Sequence, residues 1–181
     1  MPRVLRRRRF LGGAPRQDYS FHMGIASTVR DYLDEAGVDY QLLHHPYTPN
    51  SRSAADAARI PADQLAKPVL LEDDKGYLMA VVPASRRVEL QSLERQLGRR
   101  LVLASEREVQ DLFSDCSKGA VPAVGQAYGV DVVWDDCLAS CADVYFEAGD
   151  HTDLVHMSGK EFTFLMGRRP HGSISRPDAT H

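Results

Sequence analysis

Two short apolar runs, residues 68–72 and 77–82, are separated only by Asp73-Asp74-Lys75-Gly76. Aspartate and glycine supply the backbone conformations of a tight reversal, so the pair is predicted to form a β-hairpin. Around it, other elements follow their own periods. Val29, Tyr32, Leu33 and Ala36 lie three to four apart and are followed by Gly37, the pattern of a helix with its C-terminal stop. Residues 40–44 read as a strand, and the alanine-rich stretch 53–60 as a helix ended by Pro61. Leu90, Leu93 and Leu97 form an amphipathic stripe closed by Gly98, and residues 101–104 a short strand. Ser105 with Glu108 makes a capping box that opens a helix running to Phe113. Strands are predicted at 130–134, 144–148 and 154–157, and Ser158 with Glu161 starts a last short helix. Neighbouring strands joined by tight turns, with helices placed irregularly between them, indicate a single α+β domain with a mixed sheet.

Charge is unevenly placed. Six arginines against Asp18 fill the first 22 residues, whereas the rest of the chain holds 16 basic and 24 acidic residues. An acidic body argues against wide, nonspecific binding along nucleic acid, which requires a basic surface. Residues 1–22, with Arg6 to Arg9, Gly12, Gly13 and Pro15, read as a disordered leader, and Met23 opens a pattern like a natural start. Residues 167–181 show no buried face and are expected to be a flexible tail. The three cysteines fit a reduced, cytoplasmic setting, and no apolar run approaches a membrane span, so no membrane partner is expected.

Residues 114–129, with three glycines and one proline, fit no regular element. Long unstructured loops in compact domains are commonly binding or catalytic segments. Here Gly119-Ala120-Val121-Pro122-Ala123-Val124-Gly125 could bring backbone N–H groups close to an oxygen, although a plain turn-rich connection has the same spacing. Lys67 stands at the mouth of an apolar strand, either as a fixed cation or as a snorkelling surface residue. His44-His45-Pro46-Tyr47-Thr48 offers imidazoles and a hydroxyl but no nucleophile-elbow serine or cysteine beside them. Cys137 and Cys141, with His151 and His156, lack the paired tight spacing of structural zinc, and no metal is expected.

In order along the chain, the segments HPYTPNSRSAADAA, AKPVLLEDDKGYLMAVVPASRRVEL, KGAVPAVG and VYFEAGDHTDLVHMSGKEFTFL resemble the YbaK/ProX family of aminoacyl-tRNA editing domains, over about residues 27–166. The resemblance implies a partly barrel-like β-sheet with surrounding helices, with the editing domain spanning residues 23–166. It implies a free-standing hydrolase that removes the amino acid from a mischarged tRNA, bound through its aminoacylated 3′ end, without a cofactor. An aminoacyl-tRNA synthetase is a further implied partner. In that family a lysine opening the central strand is the hallmark of the site, and Lys67 matches it. The glycine-proline loop lines the aminoacyl pocket and matches Gly119, Ala120, Val121, Pro122, Ala123 and Gly125. Ala123 and Val124 stand where the family commonly has proline and phenylalanine. Thr48 and Ser51 fall in the pocket-lining segment, and His156 in a late strand facing the same cleft. The vicinal ribose hydroxyl is understood to help activate the water, so no protein nucleophile is required. Six arginines against three glutamates between residues 86 and 107 offer either a patch for the acceptor stem or a solvated helix face. A non-catalytic module of the same fold, binding an aminoacyl or nucleotide-like ligand or a synthetase, is the alternative.

Overall fold

The computed structural model describes residues 24–179, and the arginine-rich leader expected at residues 1–22 lies outside them. The elements run α1 (Ser27–Ala36), β1 (Gln41–His44), α2 (Ser51–Ala58), β2 (Ala66–Asp73), β3 (Gly76–Pro83), β4 (Arg86–Val88), α3 (Leu90–Leu97), β5 (Val102–Leu103) and α4 (Glu106–Leu112). Then follow β6 (Asp131–Asp135), α5 (Asp136–Ala139), β7 (Asp143–Glu147), β8 (Asp153–Ser158), α6 (Gly159–Met166), β9 (His171–Gly172) and β10 (Ser175–Pro177).

The hairpin is formed by β2 and β3, with Asp73 opposite Gly76. The Asp73 carboxylate accepts the Lys75 N–H at 2.8 Å and is clasped by the Arg99 guanidinium at 2.6 and 2.8 Å. This hairpin is the centre of a five-stranded mixed sheet in the order β5-β2-β3-β6-β9. A second, antiparallel sheet runs β1-β8-β7, and β4 with β10 makes a two-stranded ribbon. An isolated parallel bridge between Leu65 and Tyr145 joins the first two sheets, which stay open rather than closing into a barrel.

Alternation along the pleat divides the core. Ala66, Leu70, Met79 and Val81 point into the larger cluster with Val29, Leu33, Phe146 and Phe162. Leu71, Leu78, Ala80 and Val82 point the other way, against Leu93, Leu101 and Ile174. Helix caps follow the sequence signals: Ser105 and Glu108 form the reciprocal capping box, and Ser158 caps α6. Gly159 is required by contact, since a Cβ there would fall 1.8 Å from the Cys141 carbonyl oxygen.

Residues 167–179 correct the expectation of a loose tail. Ile174 is fully buried, and β9 and β10 pair with β6 and β4. The buried Asp135 carboxylate accepts the Ile174 N–H at 3.0 Å and the Ser175 hydroxyl at 2.7 Å, and Arg86 grips Ser175 through its hydroxyl and carbonyl, both at 2.8 Å. One apolar anchor and a set of polar clasps order this segment, a pattern that leaves no hydrophobic period to read.

Candidate active site

The long loop after α4 is fixed at several points. Phe113 is buried and its ring lies 4.6 Å from that of Tyr128. Asp115 accepts the Thr28 N–H at 3.0 Å and the Tyr128 hydroxyl at 2.9 Å. Burial works against ionisation of Asp115, but these donors outweigh it and hold the carboxyl below its usual range. Burial pushes the neighbouring Cys116 thiol up to about 12, which makes it inert as a nucleophile. Ser117 donates its N–H to Gly149 O at 2.7 Å, and Ala120 donates to Ser117 O at 3.0 Å. Residues 117–120 therefore form a turn with Gly119 at its third position, where φ is +81°. Glycine is used here for its backbone freedom, because an added Cβ would meet His151 only at ordinary contact distance, 3.5 Å.

A second strip of chain comes up to this turn. His45 donates its N–H to Thr152 O at 2.8 Å, and Thr48 donates to His151 O at 3.3 Å. Asn50 then caps α2 by accepting the Ser53 N–H at 2.9 Å. Between the two strips lies a cavity of about 350 Å³. Its walls are α4, Tyr47 and Pro49, the Lys118-Gly119 peptide, Val121 and His151. Lys118 pairs with Glu106 at 2.8 Å beside it. A volume of that order suits a small-molecule end such as an aminoacyl group.

The expected site residues divide. Gly119 and Val121 are on the cavity wall, and Thr48 lies buried between wall residues Tyr47 and Pro49 with its hydroxyl unpartnered among the described residues. Ser51 is the first residue of α2, off the wall. Ala120, Pro122, Ala123 and Gly125 are turned inward. Ala123 and Val124 join the larger core, and a Cβ on Gly125 would come within 3.2 Å of Met79 and Val132. Gly125 is thus a packing glycine rather than part of the cavity wall. His156 is elsewhere: its Nε2 meets Asp143 at 2.8 Å and its ring stacks on Tyr145 at 4.4 Å.

Lys67 is also off the cavity wall. It sits opposite Val82, and directly paired residues share a face, so its side chain leaves the sheet on the side of Leu93 and Ile174. Ala123 and Val124 pack on the other side. The Lys67 ammonium donates to Arg86 O at 2.6 Å, and burial lowers its pKa, opposed by the charge of Asp178. Arg52 and Arg87 reach the same Asp178 at 3.6 and 2.7 Å. The strip from Pro49 to Arg52 connects the two places: the Pro49 carbonyl oxygen is 3.9 Å from where a Gly119 Cβ would be, and Arg52 reaches toward the cationic cluster. Of the six arginines between residues 86 and 107, Arg86, Arg87 and Arg99 are occupied by Ser175, Asp178 and Asp73.

His151 is the residue that sequence reasoning missed. It was considered there only as a metal ligand, yet it lines the cavity, is 4% exposed, holds a positive φ of 66° and contacts Lys118 O through Nε2. Among the described residues no group of three His, Cys, Asp or Glu side chains is placed to hold a metal ion, and no helix is long and apolar enough to cross a membrane.

Residues 45–165 match the family described as the aminoacyl-tRNA editing domain. The chain belongs to that family. Solved structures share the fold of this editing domain. A candidate trans-editing enzyme for prolyl-tRNA synthetase aligns at a TM-score of 0.75 with 24% identity, over 87% of this chain and 99% of its own. The hypothetical protein APE2540 gives 0.74 and 24%, over 83% and 100%. A protein from Marinobacter aquaeolei VT8, described in connection with signal transduction, gives 0.68 and 21%, over 82% of this chain and 30% of its own. No curated protein sequence matches the chain.

Proposed function

We propose that this editing domain is a free-standing deacylase that hydrolyses the ester between a wrongly attached amino acid and the terminal ribose of tRNA. The observation that carries the reading is the cavity beside Gly119, found within the stretch that defines family membership. The aminoacyl group enters between Tyr47, Pro49 and the turn at Gly119, with Val121 at its side chain. A water adds to the ester carbonyl, the carbonyl oxygen takes up negative charge, and backbone N–H groups of the turn stabilise it. The bond to the ribose oxygen then breaks and that oxygen takes the proton, leaving a free amino acid and an intact tRNA end. An ester is activated enough that positioning and oxyanion stabilisation suffice without a covalent intermediate.

Lys67, with Arg52 and Arg87 nearby, is assigned to the terminal phosphates rather than to the carbonyl. Its place on the other face of the sheet supports that division, since the phosphate is several bonds removed from the ester. The trans-editing role named for the prolyl-tRNA synthetase neighbour supports mischarged tRNA as the substrate, and a synthetase as the partner that delivers it.

A second reading, a binding module without catalysis, is favoured by the engagement of the Lys67 ammonium with Arg86 O. Incubation with a panel of mischarged tRNAs, following release of the amino acid, separates the two. The deacylase turns over at least one of them, and a protein that binds but releases none is the module.

A further inference from the structure

The turn at residues 117–120 leaves the N–H groups of Lys118 and Gly119 uncommitted among the described residues. Ala120 closes the turn on Ser117 O, and Ser117 donates to Gly149 O. The N–H of Gly119 has no acceptor among the described residues. A trans peptide is planar and directs its C=O and N–H in opposite senses, so the group that holds the Lys118 carbonyl also aims the Gly119 N–H.

That group is His151. Its Nε2 lies 2.5 Å from Lys118 O, and a carbonyl can only accept, so Nε2 is the donor of this contact. Nδ1 is closed off from solvent and unpartnered among the described residues. The residue is held in the positive-φ region, which non-glycine residues rarely occupy and which persists only where surrounding contacts enforce it. Those contacts are the Thr48 N–H on its carbonyl and the Tyr47 ring 5.3 Å from its own. His151 thus ties both walls of the cavity together and fixes the peptide between them.

We propose that His151 is a positioning residue for deacylation: by holding the Lys118 carbonyl it keeps the Gly119 N–H turned toward the ester oxyanion. The proposal rests on the editing reading above. Glycine at position 119 lets this central peptide turn over readily, so an untethered turn would spend much of its time with the donor facing away.

The test uses the full chain and a mischarged tRNA that it hydrolyses. His151→Phe keeps a planar ring and removes the donor, whereas His151→Gln places an amide N–H near the position of Nε2. The Phe variant is expected to lose about 10- to 100-fold in kcat with KM within about threefold, and the Gln variant to recover most of it. Equal losses in both variants, or a change confined to KM, overturn the proposal in favour of a merely structural side chain. If the Phe variant does not fold, His151→Asn replaces it, because asparagine accepts positive φ but is too short to reach Lys118 O.

A readout independent of turnover is the backbone amide resonance of Gly119 in 15N-labelled protein without tRNA. It is expected to move in the Phe variant and return toward the wild-type position in the Gln variant, and an unmoved resonance overturns the tether. A wild-type protein inert toward every tRNA tested, with the Gly119 resonance still responding, overturns the editing reading and the catalytic purpose of the tether while leaving the contact itself established.

Discussion

The Lys67 ammonium is tethered to the Arg86 carbonyl at 2.6 Å, on the face of the central sheet opposite to the one that receives Ala123 and Val124. The proposed deacylase function accordingly assigns the lysine and the glycine loop to separate parts of one substrate. An aminoacylated tRNA end offers two such parts, the aminoacyl group at one end and phosphates several bonds away. Lys67→Met, which keeps the apolar stem, is expected to lower kcat/KM for deacylation about tenfold or more. It should also flatten the dependence of log(kcat/KM) on log salt by about one, as loss of a single phosphate contact does. Kinetics at several salt concentrations check this, and an unchanged slope removes the phosphate assignment.

Gly119 and Gly125 make a contrasting pair. Gly119→Ala meets ordinary contact distances but has to hold φ near +81°, a strain of about 1–2 kcal/mol that the turn can relieve by rotating its peptide. Deacylation is expected to fall more than tenfold with a modest loss of stability. Gly125→Ala instead forces a methyl to within 3.2 Å of Met79 and Val132, and overpacking of that kind costs about 1–3 kcal/mol. Its expected signature is a lower urea midpoint with kcat nearly unchanged, measured on the two variants side by side.

The hairpin at residues 73–76 and the capping box of Ser105 and Glu108 were legible because their signals are local. A turn needs its glycine, and a cap needs its partner three residues on. The pairing of Arg86–Val88 with Ser175–Pro177 was not, because each strand acquires its meaning from a partner nearly ninety residues away. The same distinction runs through the site. Gly119 could be picked out because positive φ selects glycine, whereas His151 acts through a hydrogen bond to a carbonyl 33 residues upstream, which leaves no local trace. Lys67 was legible as a residue type but not as a direction. The alternation of Ala66 and Leu70 against Val69 and Leu71 gives the pleat, but nothing local tells which face receives the loop.

Asp135 is the clasp that orders the C-terminal segment. It is 1% exposed and accepts from the N–H groups of Cys137 and Ile174 and from the Ser175 hydroxyl. Burial opposes its ionisation, but these donors prevail and its carboxyl stays below the usual range. Asp135→Ala leaves buried donors without an acceptor and is expected to cost about 3 kcal/mol, with Asp135→Asn losing less because one carbonyl oxygen remains. Urea unfolding checks the order. Proteolysis should begin within residues 167–179 in the Ala variant, since the pairing of β9 and β10 depends on that carboxylate.

Glu147 supplies a pH dependence with a definite sign. It is 2% exposed, neither carboxylate oxygen has a partner among the described residues, and burial, reinforced by Asp150 and Asp153, pushes its pKa from 4.5 up to about 7. Below about pH 4.5 the group is neutral in both folded and unfolded chains and exacts no penalty. Between 4.5 and 7 the unfolded chain ionises first, so this residue makes stability fall as pH rises, and above about 7 the full penalty of about 3 kcal/mol is present. Glu147→Gln removes the ionisation while keeping the shape. Urea unfolding at pH 5 and pH 8 is expected to show the difference between the two pH values shrinking by about 2–3 kcal/mol in the variant, mainly through a gain at pH 8. An unaltered difference would mean that the carboxyl reaches water or a counter-charge in the folded protein, and that its buried, unpaired position is not maintained in solution.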